Sequence, residues 1–134
     1  GTARLLSTHG MATVTEASLA NGRRADIVGI APTGELWIVE IKSCLDDFRT
    51  DGKWPEYRDY CDRLYFAVGP AFQVDVLPAD TGLIVADRFG GTIVRPAPEH
   101  KLPPARRKAL TLALARTAAF RLQRVADPEF GLDV

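Results

Sequence analysis

Glu40 and Lys42 stand two residues apart inside the apolar run Trp37-Ile38-Val39-Glu40-Ile41-Lys42. In a β-strand, side chains at i and i+2 share a face, so the carboxylate and the ammonium point the same way. Charges inside a sheet are costly unless they pair or bind something, so this strand requires a partner. One candidate lies upstream in Arg24-Ala25-Asp26-Ile27-Val28-Gly29-Ile30, where Asp26 is the lone acid of a second strand-like run. An Asp on one strand and Glu-x-Lys on the next can hold a divalent metal beside a lysine that handles a nucleophilic water. The competing explanation is an ordinary cross-strand ion pair. Against it, these charges sit in runs that are otherwise apolar on both faces. His9 and His100 lack metal-ligand spacing, and no glycine-rich phosphate loop or serine-nucleophile motif is present.

The turns set the register that decides whether the acids meet. Pro32-Thr33-Gly34 suits a three-residue hairpin loop, with proline presetting the first position and glycine taking the left-handed one. Ala31 then opposes Glu35, and counting back places Asp26 opposite Glu40. Asp26, Val28 and Ile30 would share a face with Leu36, Ile38, Glu40 and Lys42, while Ile27, Trp37, Val39 and Ile41 fill the other. Glu16 is a further candidate, and its side depends on the preceding turn. A three-residue loop Ala20-Asn21-Gly22 puts Glu16 opposite Asp26; a two-residue Asn21-Gly22 turn puts Ala17 there and turns Glu16 away.

The elements around these strands follow from periodicity and punctuation. Residues 3–9 read as the last turns of a helix stopped by Gly10. Strands are expected from Met11 to Leu19, Arg24 to Ala31 and Glu35 to Ser43. Leu45 to Asp62 reads as helical, broken into two pieces by Gly52 and Pro55. Leu64 to Val68 is a buried strand, and Leu83 to Ala86 pairs with Thr92 to Val94 across Gly90-Gly91. Pro103-Pro104 opens a long helix running to about Ala126. The whole, residues 1–134, reads as one α/β domain with a mixed sheet flanked by helices on both faces.

Composition narrows the function classes. The 134 residues carry 17 Lys+Arg against 17 Asp+Glu, so no global positive field advertises nucleic acid, and any polyanion site must come from local charge segregation. Such segregation exists between Glu99 and Asp127, where no acid intervenes among Lys101, Arg106, Arg107, Lys108, Arg116, Arg121 and Arg124. Arg106, Arg121 and Arg124 fall within about 60° on a helical wheel. This helix could contact phosphates, be buried broadly through Leu112, Ala113, Ala119, Phe120 and Leu122, or pack against a second subunit. Cys44 and Cys61 are too few for a disulfide framework, and no signal-peptide pattern or membrane-length apolar run is seen, so a cytoplasmic protein is expected.

The order strand-Asp26, strand-Glu40-Ile41-Lys42, then helix resembles the PD-(D/E)XK nuclease superfamily. More specifically, Arg23-Arg24-Ala25-Asp26, Val39-Glu40-Ile41-Lys42-Ser43 and the stretch from Asp47 to Tyr57 resemble the MmcB-like family of bacterial DNA repair proteins. Ala25 replaces the proline before the motif Asp, a change the superfamily commonly accepts. The resemblance implies a restriction-endonuclease-like αβββαβ core and a metal-dependent DNA endonuclease acting in repair. It implies Asp26, Glu40 and the Ile41 carbonyl as ligands of Mg²⁺ or Mn²⁺, with Lys42 orienting or helping deprotonate the water and, if it faces the catalytic site, Glu16 completing the ligand set or helping hold a second ion. Lys53 and Tyr57, four apart on one helix face, resemble the Gln-x-x-x-Tyr motif of some nuclease branches. With Arg24 they are the expected nucleic-acid contacts. DNA and other repair proteins are the implied partners, a homodimer through the long helix is a further expectation, and no membrane partner is implied. The alternatives are a DNA-binding or scaffolding module that keeps the fold without cutting, and an RNA nuclease.

Overall fold

The computed structural model describes residues 1–129, so the last five residues of the expected domain lie outside the described set. Helix α1 (Thr2–Thr8) leads into three antiparallel strands, β1 (Ala12–Ser18), β2 (Arg24–Ile30) and β3 (Leu36–Lys42). A short helix α2 (Leu45–Thr50) and a 3₁₀ helix (Trp54–Tyr60) then cross over to β4 (Arg63–Val68), parallel to β3. β5 (Gly82–Ala86) lies parallel to β4, β6 (Gly91–Arg95) returns antiparallel, and the long helix α3 (Pro104–Ala126) closes the described chain. The six strands form one mixed sheet in the order β1-β2-β3-β4-β5-β6. No helix among the described residues is long and apolar enough to cross a membrane.

Two hairpins of the same build fix the register. In each, a residue before the loop both donates to and accepts across it: Leu19 N to Arg23 O at 2.8 Å with Gly22 N to Leu19 O at 3.0 Å, and Ala31 N to Glu35 O with Gly34 N to Ala31 O, both at 2.9 Å. Gly22 and Gly34 take φ of +84° and +89°, the left-handed position that a side chain would strain. The first hairpin therefore has the three-residue loop, and of the two β1 registers the one placing Glu16 level with Asp26 is realised.

Each face of the sheet has its own core. One cluster joins Val14, Ala17, Val28, Leu36 and Ile38 to Tyr57 and Cys61 of the crossover and to Leu110 and Leu114 of α3. The other packs Leu5 and Leu6 of α1 on Ile27, Val39, Tyr65 and Ile84. Helices thus cover both faces, although Ile41, expected to be buried, is 45% exposed because the covering layer ends before it. The long helix is buried only through Leu110 and Leu114, while Leu112, Leu122 and Val125 are exposed. Within one chain it is not buried broadly, because it packs chiefly on β1 and the 3₁₀ helix.

α3 is held by polar ties. Asp62, 1% exposed, takes Leu36 N at 2.7 Å, Leu102 N at 2.9 Å and both Arg107 terminal nitrogens at 2.6 Å. Arg107 and these amides hold its carboxyl below the usual carboxylate range, although burial alone would raise it. Arg106 donates to Asp59 O, and Arg121 donates to the carbonyls of Thr15 and Glu16. Arg107 is thus committed to a buried carboxylate, while Arg106 and Arg121 tie α3 to neighbouring carbonyls from positions that still reach solvent.

Candidate active site

The pairing of β2 with β3 runs from Ile30↔Leu36 to Ile27↔Val39 and stops one pair short of Asp26 and Glu40. Side chains take over where the main-chain ladder ends. Asp26 N donates to Glu40 Oε2 at 2.9 Å, and Ile41 N donates to Asp26 Oδ2 at 2.8 Å. Each acid thus satisfies an amide beside the other acid, which draws the two carboxylates to a common opening. The β1–β2 ladder is interrupted at the same level. It passes from Thr15↔Ile27 to Ala17↔Ala25, skipping Glu16 and Asp26.

The cause of the second gap is the backbone of Glu16, which sits at φ +48°, a conformation uncommon for residues with a side chain. Alternation slips there: Val14 and Ala17, three apart, enter the same core cluster, and so do Ala25 and Val28 across Asp26. Asp26 therefore lies at a gap in both of its ladders, in the interior of the sheet. Arg121 holds the Thr15 and Glu16 carbonyls, so α3 braces this interruption.

Glu40 is 4% exposed and Lys42 7%. Burial pushes the Glu40 carboxyl up to about 7; the Asp26 amide and Lys42 oppose that rise, and the charges of Asp26 and Asp51 add to it. Lys42 Nζ pairs with Asp51 Oδ2 at 2.6 Å, and Asp51 Oδ1 is itself fixed by Lys53 N at 3.0 Å. Tyr57 closes the site from the 3₁₀ helix, donating to Arg24 O at 3.1 Å. Burial and then the carboxylates of Glu40, Asp51 and Asp26 push its hydroxyl up to about 12.

The sequence-predicted residues divide in two. Asp26, Glu40, Lys42 and Tyr57 converge. Glu16 is level with Asp26 but exposed, and among the described residues its carboxylate makes no hydrogen bond or ion pair with the acid pair. Arg24 and Lys53 touch the site through main-chain atoms, with exposed side chains at its rim. Lys53 and Tyr57 do not share an α-helical face. Lys53 is the N-cap of a 3₁₀ helix, and at three residues per turn positions four apart diverge by about 120°. Asp51 was not foreseen. The available signal was that a buried lysine needs a counter-charge and that Asp51-Gly52 ends the helix following Lys42.

The donor set suits a hard divalent cation. Among the described residues no three His, Cys, Asp or Glu side chains converge as a metal cage. A cation here would be held by Asp26 and Glu40, completing its shell with main-chain oxygen and water, as Mg²⁺ commonly does. Each of these carboxylates spends one oxygen on a backbone amide.

A family model described as DNA repair protein MmcB-like matches residues 1–129. The chain belongs to this family. A solved structure, the SPO1766 protein of unknown function from Silicibacter pomeroyi, superposes with a TM-score of 0.93 at 48% identity, covering 96% of this chain and 88% of that one. No curated protein matches the MmcB-like chain.

Proposed function

We propose that this MmcB-like protein is a metal-dependent DNA endonuclease of the PD-(D/E)XK type, hydrolysing phosphodiester bonds during repair. The observation that carries the reading is the convergence of Asp26, Glu40 and Lys42 at an opening in the sheet, with Glu40 buried and short of compensating positive charge. Asp26, Glu40 and the Ile41 carbonyl would hold Mg²⁺ or Mn²⁺, which polarises a phosphodiester and lowers the pKa of water. Lys42 would orient the attacking water and neutralise charge gathering on the phosphoryl oxygens. Tyr57, fixed on the Arg24 carbonyl, limits solvent access from one side, and Arg24 and Lys53 would meet backbone phosphates at the rim.

A second reading, a DNA-binding module that does not cut, draws support from the closed state of the site: Lys42 is already paired with Asp51. Cleavage assays with Mg²⁺ on duplex, flap, junction and RNA substrates separate the two. Activity that disappears in Lys42→Ala and Asp26→Asn is expected. Activity indifferent to both substitutions rejects the site, and DNA affinity without cleavage of any substrate selects the module.

A further inference from the structure

A second group of cations lies on the same side of the sheet, at the other end of the 3₁₀ helix. An open cavity of about 400 Å³ is lined by Arg58, Asp59, His100, Lys101, Pro103 and Arg106, among others. Its arginines are held in place. Arg106 lies over the Tyr60 ring at 5.2 Å with one nitrogen on Asp59 O, and Arg58 lies over the Trp54 ring at 5.3 Å. Stacked guanidinium groups keep unused N–H donors while losing little further freedom on binding. His100 is anchored through its amide on Asp62 O at 2.7 Å. Lys101 is exposed and makes no hydrogen bond or ion pair among the described residues.

The charge balance favours an anion. Asp80 offsets Arg58. That leaves Lys101 and Arg106 against a single rim carboxylate, Asp59, which holds Arg106 through its carbonyl rather than its side chain. The cavity also receives the start of α3, whose N-cap Pro103 supplies no side-chain cap and whose first turn contains no acid. The helix therefore brings no acid of its own to the cavity.

We propose that Lys101, Arg106 and His100, at the start of α3, form a phosphoryl-binding site separate from the acid pair. Its position suits a nucleic-acid backbone. Asp62, which anchors His100, also binds Leu36 N; Leu36 is four residues from Glu40 along β3, about 13 Å. A duplex carries one charge per about 3.4 Å of each strand, so a backbone passing both sites meets several phosphates between them. The site is independent of cleavage and stands whether or not Asp26 and Glu40 perform chemistry.

The test has two arms on the intact protein. Inorganic phosphate is titrated while amide NMR signals are followed, and the salt dependence of binding to a labelled DNA duplex is measured for wild type, Lys101→Ala and, as a remote control, Arg88→Ala. Saturable shifts confined to residues 100–106 are expected. Lys101→Ala should also flatten the slope of log K against log salt by about 0.9, with Arg88→Ala unchanged. A flattened slope, with or without phosphate shifts, identifies DNA phosphate as the source. Localised phosphate shifts with an unaltered slope identify a free phosphoryl ligand. Neither response, or equal slope changes in both variants, overturns the site.

Discussion

Replacing Glu40 with glutamine preserves its shape and the oxygen that accepts the Asp26 amide, while removing the buried charge. In the folded chain the Glu40 carboxyl is raised from 4.5 to about 7, so it keeps its proton at pH values where the unfolded chain has released it. Stability from this group is complete below the unfolded value and is lost as pH rises through the folded one. A shift of that size corresponds to about 3 kcal/mol at 1.36 kcal/mol per pKa unit. Glu40→Gln has no such dependence. It should be more stable than wild type by about 3 kcal/mol at pH 8, equivalent to about 10 °C in Tm for a domain of this size, and nearly equal to it at pH 4.5. Urea or thermal unfolding of both proteins in EDTA, at both pH values, measures the difference, and groups that titrate alike in both proteins cancel. A stability gap that does not change with pH would show that the carboxylate is effectively solvated, and would remove the electrostatic basis for placing a cation there. Added Mg²⁺ should narrow the gap at pH 8 by stabilising only the wild type.

Lys42→Met should raise the Glu40 carboxyl further, because the charges of Asp26 and Asp51 then act on it without the opposing ammonium, and carboxyl NMR titration reads that shift directly. Asp62→Asn should destabilise by about 3 kcal/mol, the lower end for a broken buried pair because Arg107 still reaches solvent. Asp62 is depressed, so its contribution is present above its unfolded value and lost as pH falls through the folded one; urea unfolding near pH 3 should show a smaller gap than at pH 7. Gly82→Ala should cost about 1–3 kcal/mol, since a Cβ would overlap the buried Tyr65 ring, which is stacked on Trp37 and cannot swing away. A Tm unchanged by that substitution would show that the ring yields.

The meeting of Asp26 and Glu40 could be counted from the sequence because short-range chemistry decides it. Proline and glycine in the Pro32-Thr33-Gly34 loop dictate the turn, the turn dictates the register, and a period of two carries that register from Ile30↔Leu36 to Ile27↔Val39, one pair short of the acids. Gly52 and Pro55 likewise announce the two-piece crossover, and Pro103-Pro104 the start of α3. Where two turns were chemically equivalent, as at Ala20-Asn21-Gly22, the sequence left the outcome open and the assembled sheet decided it. Only the tertiary structure could supply the Lys42–Asp51 pair, which depends on how α2 seats Phe48 against Phe66. The same holds for the Asp62–Arg107 tie, joining residues 45 positions apart, and for Arg121 bracing the strained Glu16 backbone. Local propensity acts over a few residues. The choice of counter-charge for a buried group is settled by desolvation and packing across the whole domain, and no spacing rule records it.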